Sequence, residues 1–328
     1  MLILRQSDVR ALVEGREREI TQIVADAYAI HAEGATSLPH SVFLRFPDRP
    51  RDRIIGLPAY LGGPNPAAGM KWIASVPGNI GRGLERASAA IVLNDVVTGR
   101  PDALIEGSVI SAKRTAASAA LAARLLTAEP APEAVSLIGC GVINLEVLRF
   151  LRAELPQLVR ATVHDLDPAR AAGFARRATD ELGIATRTVG TAAEALAAHR
   201  LVSLATTAAT PHLDLAPLAP GSTVLHVSLR DISVADMLAA QNVVDDTDHV
   251  NREGTSVHLA SQASGGTGFV DAEIGDVVRD PGSFRRDPDR TLIYSPFGLG
   301  ILDMALAAHL RREAGAKGLG VQVDDFVS

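Results

Sequence analysis

At 328 residues the chain is longer than one hydrophobic core usually organises, so two domains are expected. Hydrophobic residues make up 47% and charged residues 21%, an ordinary balance for a folded soluble protein. The net charge of -6, with no Lys/Arg cluster along the chain, argues against nucleic acid as a partner, although a local basic pocket stays compatible with it.

In chain order, Ser7-Asp8 reads as a helix N-cap, followed by two amphipathic helical stretches up to about His31. From Ser37 the texture changes to short β-like runs, SVFLRF, RIIGLPAYL, GMKWIASV, ASAAIVLND and ALIEGSVI, with a hairpin turn from Asn94-Asp95 to Thr98-Gly99. A meandering antiparallel sheet is the simplest account of them. The Ala-rich ISAKRTAASAALAARLL then reads as a helix, closed by Pro130 and Pro132. Beyond it, strands AVSLIG, RATVHDL, ATRTVG, LVSLATT and STVLHVS alternate with helices at Ile143–Ala153, Pro168–Leu182 and TAAEALAAH. That alternation predicts βαβ units and a doubly wound parallel sheet of the Rossmann type. A Gly-bearing turn, SPFGLG, leads into a last helix, ILDMALAAHLRREAG.

Cys140 is the single cysteine, which excludes an intramolecular disulfide and argues against a Cys-based zinc site; no metal is expected. Between Gly139 and Gly141 it reads as a small residue filling a tight turn. The N-terminus lacks a signal-peptide pattern and no apolar run approaches about 18 residues, so a cytoplasmic protein without a membrane partner is expected.

Four groups of residues carry the chemistry. In VSLIGCGVIN a buried strand runs through Gly139-Cys140-Gly141 into a helix, the context of a dinucleotide fingerprint. Gly139 allows the tight turn and Gly141 a close approach of backbone to pyrophosphate. The third fingerprint position is Asn144, a departure that suggests a looser helix–strand contact. Asp165 ends the next strand, near the spacing of about 20 residues of a ribose-binding acid, and its charge favours NAD over NADP. The other use of such an acid, capping the next helix, suits Asp167 better.

Lys113-Arg114-Thr115 reads either as an anion site at a helix N-terminal turn or as a solvated basic turn. Asp231, where HVSLRDIS breaks off, is a candidate general base or a helix cap. Arg45, Lys71 and Arg86 sit in β-like runs, where charged residues usually mark the wet face.

The segments GMKWIAS, LND-x-x-TG-x-P, SAKRTAASAALAA, LIGCG and SPFGLGILD together resemble the ornithine cyclodeaminase/μ-crystallin family over essentially the whole chain. SLPHSVFLRFP, RIIGLPAYLGG, SAKRTAASAA and HVSLRDIS are closest to one branch, the 2,3-diaminopropionate biosynthesis dehydrogenases of siderophore and peptide-antibiotic pathways. The resemblance implies a discontinuous α+β substrate and dimerisation domain, 1–114 completed by 300–328, and an NAD-binding Rossmann domain, 115–299. It implies a homodimer, and a pyridoxal-phosphate synthase acting upstream.

By motif, Arg45, Lys71 and Arg114 match the family's carboxylate-binding residues and Asp231 its catalytic acid, with Lys71 beside it in the catalytic set. Cofactor contacts fall on Arg114, Thr115, Gly139, Gly141, Val142, Ile143, Asp165, Thr206, His226, Val227, Ser228 and Ser295. Arg86 stands where the cyclodeaminases carry a smaller hydroxyl residue, and meets either the cofactor or a substrate carboxylate. The strand RIIGLP lacks the cyclodeaminases' glutamate, which argues against ornithine cyclisation. The implied reaction is NAD-dependent oxidation of N-(1-amino-1-carboxy-2-ethyl)-L-glutamate to L-2,3-diaminopropionate and 2-oxoglutarate. The alternatives are an alanine-dehydrogenase-like or ketimine-reductase-like enzyme, an ornithine cyclodeaminase, or a non-catalytic nucleotide-binding protein.

Overall fold

The computed structural model describes residues 1–326. The chain begins with β1 (Leu2–Leu4), α1 (Gln6–Val13), α2 (Glu17–Ala32), β2 (Thr36–Ser37), β3 (Val42–Phe46), β4 (Arg49–Leu61), β5 (Ala67–Ser75), β6 (Ala87–Asn94), β7 (Pro101–Glu106) and α3 (Ser108–Leu126). It continues through β8 (Ala134–Ile138), α4 (Val142–Glu154), β9 (Arg160–His164), α5 (Pro168–Leu182), β10 (Ala185–Thr188), α6 (Ala192–Ala198) and β11 (Leu201–Leu204). Then come β12 (Thr223–His226), α7 (Val234–Ala239), β13 (Gln241–Val244), α8 (Thr247–Val250), α9 (Ser256–Ser264), β14 (Val270–Glu273), α10 (Ile274–Arg279) and β15 (Leu292–Ser295). It closes with α11 (Gly300–Lys317) and β16 (Val321–Gln322). Two compact units result, Met1–Arg114 with the chain from Leu299 onward, and Thr115–Gly298.

In the first unit the sheet order is β16-β1-β7-β6-β5-β4-β2, with β3 paired to β4. Strands β3 to β7 form an antiparallel meander. The whole sheet is mixed, however, because β1 runs parallel to β7 and β16 antiparallel to β1. Three apolar residues, LIL, offer no alternation from which β1 could be read. Helix α11 packs on β4, β5, β6 and α2. Its entry is close: a Cβ on Gly300 would meet the Ala59 Cβ at 3.1 Å and the Leu57 carbonyl oxygen at 3.3 Å.

Side chains alternate across a strand, so the sheet has two distinct faces. Val42, Leu44, Tyr60, Met70 and Trp72 share one of them and are exposed. Lys71 and Ser75 belong to the other.

Helix α1 corrects the expected cap. The cap is Arg5, two residues before Ser7, and Asp8 accepts from the Arg5 backbone N–H at 3.0 Å from the third helical position. The acid is the reciprocal half of a capping box and not the cap itself.

In the second unit the order is β10-β9-β8-β11-β12-β15-β13-β14, with every ladder parallel. This is the doubly wound Rossmann-type sheet that the alternation predicts. β8 is buried at every residue, as a strand covered on both faces must be. The chain winds outward through β9 and β10 and returns beside β8 with β11. Ligands of such sheets lie beyond the strand ends at that switch. Between Ile232 and Arg290 the sequence reading assigns nothing, yet β13, β14 and α7 to α10 form there. Helices of four to nine residues are too short to display a 3.6-residue period. Among the described residues, no helix is long and apolar enough to cross a membrane.

Candidate active site

In the second unit, β8 ends in a turn that only glycine permits. Gly139 has φ +92, and a Cβ there would meet the Ala205 carbonyl oxygen at 2.5 Å. At Gly141 a Cβ would meet only Arg170 Nη2, at 3.9 Å, so the protein itself does not demand the missing side chain. Gly141 N-caps α4, with no side chain hydrogen-bonding the first amides; Val142 is exposed there and Ile143 half-buried.

Asp165 Oδ2 accepts from the Cys140 N–H at 2.8 Å and Oδ1 from the Asp167 N–H at 3.0 Å. The acid at the end of β9 therefore also fastens the glycine turn. Asp167 is the cap of α5, accepting from Ala169 and Arg170. Cys140 is buried, and that burial, with Asp165 beside it, pushes its thiol up to about 12, so it fills space and is not a nucleophile.

Asn144 overturns the expected loose contact. Its Nδ2 donates to the carbonyls of Ile138 (3.0 Å) and Gly139 (2.7 Å), and its Oδ1 accepts from Ser203 Oγ at 2.7 Å. Fully buried, it ties the glycine turn to β8 and β11.

A second group gathers at the ends of β11, β12 and β15. Asp231 accepts hydrogen bonds from Thr206 Oγ1 and Ser228 Oγ, and its Oδ2 lies 3.2 Å from His226 Nε2. Ser295 Oγ lies 3.3 Å from His226 Nδ1, while Val227 is half-buried alongside. Asp231 caps no helix, because Ser233 N-caps α7. Burial pushes its carboxyl upward, but His226, Ser228 and Thr206 outweigh that and hold it below the usual range. Burial keeps His226 below its ordinary value, so its ring is neutral at neutral pH. His212, an exposed side chain that sequence reasoning passed over, lies with Nδ1 3.9 Å from Asp231 Oδ1.

The first unit holds the cations. Lys71 Nζ donates to Asp303 Oδ2 at 2.6 Å and to Ser111 Oγ at 3.3 Å; Arg114 Nε donates to Asp303 Oδ1 at 3.2 Å. Side-chain exposures of 2%, 0% and 9% for Lys71, Asp303 and Arg114 put the three out of water. Burial, then the neighbouring Arg114, lower the Lys71 ammonium to about 8, against the opposing pull of Asp303.

Two cations thus share one carboxylate. Sequence reasoning missed Asp303, although a lone carboxylate inside ILDMALA was a signal of a buried partner.

Neither reading of Lys113-Arg114-Thr115 holds as stated: the residues are not at a helix N-terminus, and Lys113 and Arg114 are buried and not in a solvated turn. Helix α3 starts at Ser108, so Lys113, Arg114 and Thr115 lie in its second turn, and Glu106 accepts from the N–H groups of Ser108 and Val109. Lys113 lies 3.8 Å from Glu17 Oε1, and Thr115 is half-buried.

Arg45 and Arg86 form a different grouping. Arg45, exposed on β3, stacks over the Phe43 ring at 5.3 Å and is the cross-strand partner of Arg53. Arg53 partners Ser75, whose Oγ accepts from Arg86 Nη1 at 3.5 Å.

The ornithine cyclodeaminase/mu-crystallin family model matches residues 2–318. The chain belongs to this family. It is similar, at 29% identity over 99% of its length and 98% of the relative's, to the N-((2S)-2-amino-2-carboxyethyl)-L-glutamate dehydrogenase of Staphylococcus aureus. The Thermococcus litoralis Delta(1)-pyrroline-2-carboxylate reductase, solved with NADH and L-proline, superposes with a TM-score of 0.92 at 27% identity, covering 98% of this chain and 100% of that one. An archaeal alanine dehydrogenase dimer with bound NAD gives 0.89 at 26% identity, covering 99% of each. These family members are NAD(H)-dependent dehydrogenases and reductases acting on CH–NH bonds.

Proposed function

We propose that this member of the family is an NAD-dependent oxidoreductase of the 2,3-diaminopropionate branch. It converts N-(1-amino-1-carboxy-2-ethyl)-L-glutamate to L-2,3-diaminopropionate and 2-oxoglutarate. The observation that carries this reading is the buried Lys71–Asp303–Arg114 triad, whose two cations and one carboxylate leave a positive charge for an anionic substrate. Arg45 and Arg86 add cations on the same unit, in keeping with a substrate that has three carboxylates. Residues 1–114, completed by the tail from 300, bind substrate in this account, and 115–299 bind NAD.

The second unit fits a dinucleotide. The open flank of Gly141 admits close approach of a pyrophosphate, and the first amides of α4, with no side-chain cap, face it. Asp165 keeps acceptor capacity for ribose hydroxyls beyond its two backbone donors, and its charge disfavours a 2′-phosphate. Thr206, His226, Val227, Ser228 and Ser295 complete the cofactor-facing set, with Thr115 and Arg114 from α3.

Bound NAD+ supplies the acceptor for the hydride on Cα of the glutamate moiety. The cations hold the carboxylates and fix Cα in place. Asp231, ionised at neutral pH, accepts one proton from the substrate's secondary ammonium and passes it to solvent; ionised again, it stabilises the positive charge that develops on nitrogen. Lys71 Nζ, near 8, exchanges a proton within the working range. Water, activated with the help of Asp231, then adds to the substrate imine, and C–N cleavage releases the two products.

A pyridoxal-phosphate synthase joining phosphoserine to glutamate supplies the adduct. The exposed apolar face of Val42, Leu44, Tyr60, Met70 and Trp72 supports a homodimer through the first unit. A simpler amino acid is the second reading, since the triad taken alone accommodates one carboxylate. The test is to follow NADH in protein supplied with NAD+ and the adduct: adduct-dependent NADH supports the proposal, and none contradicts it.

A further inference from the structure

Three arginines and a serine form a row across the first unit's sheet, and one of them, Arg53, has no role assigned by the family motifs. Arg45 on β3 is directly opposite Arg53 on β4, and Arg53 is opposite Ser75 on β5. Directly opposed residues share a face, so these side chains project together. Arg86 reaches the same place from the residue just before β6, its Nη1 donating to Ser75 Oγ at 3.5 Å. Lys71 lies on that face too, four residues along β5 from Ser75, or about 13 Å at the spacing of a strand. The row is therefore a second cationic group, separate from the Lys71–Asp303–Arg114 triad yet on its side of the sheet.

Like charges directly opposite each other destabilise a sheet, and here Arg45 faces Arg53 across the ladder while Arg53 and Arg86 flank one serine. Burial, then Arg53, push the Arg86 guanidinium below its ordinary value, which marks the two as near neighbours. An anion placed over Ser75 offsets the repulsion and meets two planar guanidinium donors suited to a carboxylate.

We propose that Arg53 and Arg86, flanking Ser75, form a subsite for the side-chain carboxylate of the substrate's dicarboxylic moiety, and that Arg53 sets the preference for a dicarboxylate. This rests on the reading of the first unit as the substrate-binding unit. The triad takes the carboxylate next to the reacting carbon, and Arg53 with Arg86 takes the distal one.

The test is calorimetric titration of NADH-saturated protein with 2-oxoglutarate and with 2-oxobutyrate, which keeps the 2-oxo acid but lacks the distal carboxylate. Wild type is expected to favour 2-oxoglutarate by about tenfold or more, the scale of one charge-assisted contact. Arg53→Gln and Arg86→Gln should each collapse that ratio, with 2-oxobutyrate affinity held within about twofold, and Arg53→Lys should retain part of it. A wild-type protein without the preference, or a preference surviving in both glutamine variants, overturns the subsite. If Arg53→Gln fails to fold, judged by its melting and NADH affinity, Arg53→Lys and Arg86→Gln carry the same comparison. The ratio is independent of turnover, so failure to oxidise the adduct would sink the proposed reaction while leaving this subsite to stand or fall on binding.

Discussion

Lys71 Nζ stands 2.6 Å from Asp303 Oδ2, with both side chains withdrawn from water. Arg114 takes the other oxygen of the same carboxylate at 3.2 Å. Removing one partner of a buried ion pair costs far more than the pair contributes, because the remaining charge is stranded.

Asp303→Asn therefore strands two cations and should lower stability by about 3–5 kcal/mol. Urea denaturation measures it. A loss below about 1 kcal/mol would show that water or a neighbour already balances the triad.

The Lys71 ammonium gives a pH dependence. Its folded value, about 8, lies below the ordinary 10.5, so the charged form prevails below about pH 8 and is lost as pH rises through it. KM for an anionic substrate should therefore climb above pH 8 in the wild type. The climb should vanish in Lys71→Met, whose KM is high throughout. A flat wild-type profile up to pH 9.5 would contradict the assignment.

Asn144→Ala removes a side chain that serves Ile138, Gly139 and Ser203 at once. Leaving such buried groups unpaired costs about 1–3 kcal/mol. Melting should fall by several degrees, and NAD affinity with it, since the glycine turn loses its tie. An unchanged melting temperature would mean that this turn holds without Asn144.

For Asp231→Asn the expected outcome is turnover lower by about 100-fold or more, with NAD affinity within a few fold of wild type. Stopped assays at saturating substrate decide it. Near-normal turnover would leave Asp231 as a scaffold for Thr206, Ser228 and His226 only.

NAD should bind much better than NADP, with Asp165→Ser narrowing the gap. Fluorescence titration of both cofactors on both proteins measures it. Equal affinity of the wild type for the two would remove the ribose role from Asp165, leaving its bond to the Cys140 amide.

The Rossmann-type sheet was legible because its strands and helices are long enough to show a period, and the GCG turn because glycines there have a steric reason. Lys71 and Arg114 were legible as charged residues in otherwise apolar or Ala-rich runs. What joined them was not, since Asp303 lies on α11, more than half the chain away in sequence, and no local pattern pairs them. Arg53 escaped for a related reason: its importance lies in cross-strand register with Arg45 and Ser75, which sequence spacing does not reveal. Asn144 misled because its departure from glycine looked like a loss. The buried amide instead replaces close packing with three hydrogen bonds.

Product identity tests the central claim most directly. Wild-type protein with NAD+ is given the glutamate adduct, L-ornithine and L-alanine in parallel, and the products are identified by mass. The account predicts L-2,3-diaminopropionate and 2-oxoglutarate, in equal amounts with NADH, from the adduct alone. Proline from ornithine, or pyruvate from alanine at comparable efficiency, would contradict it.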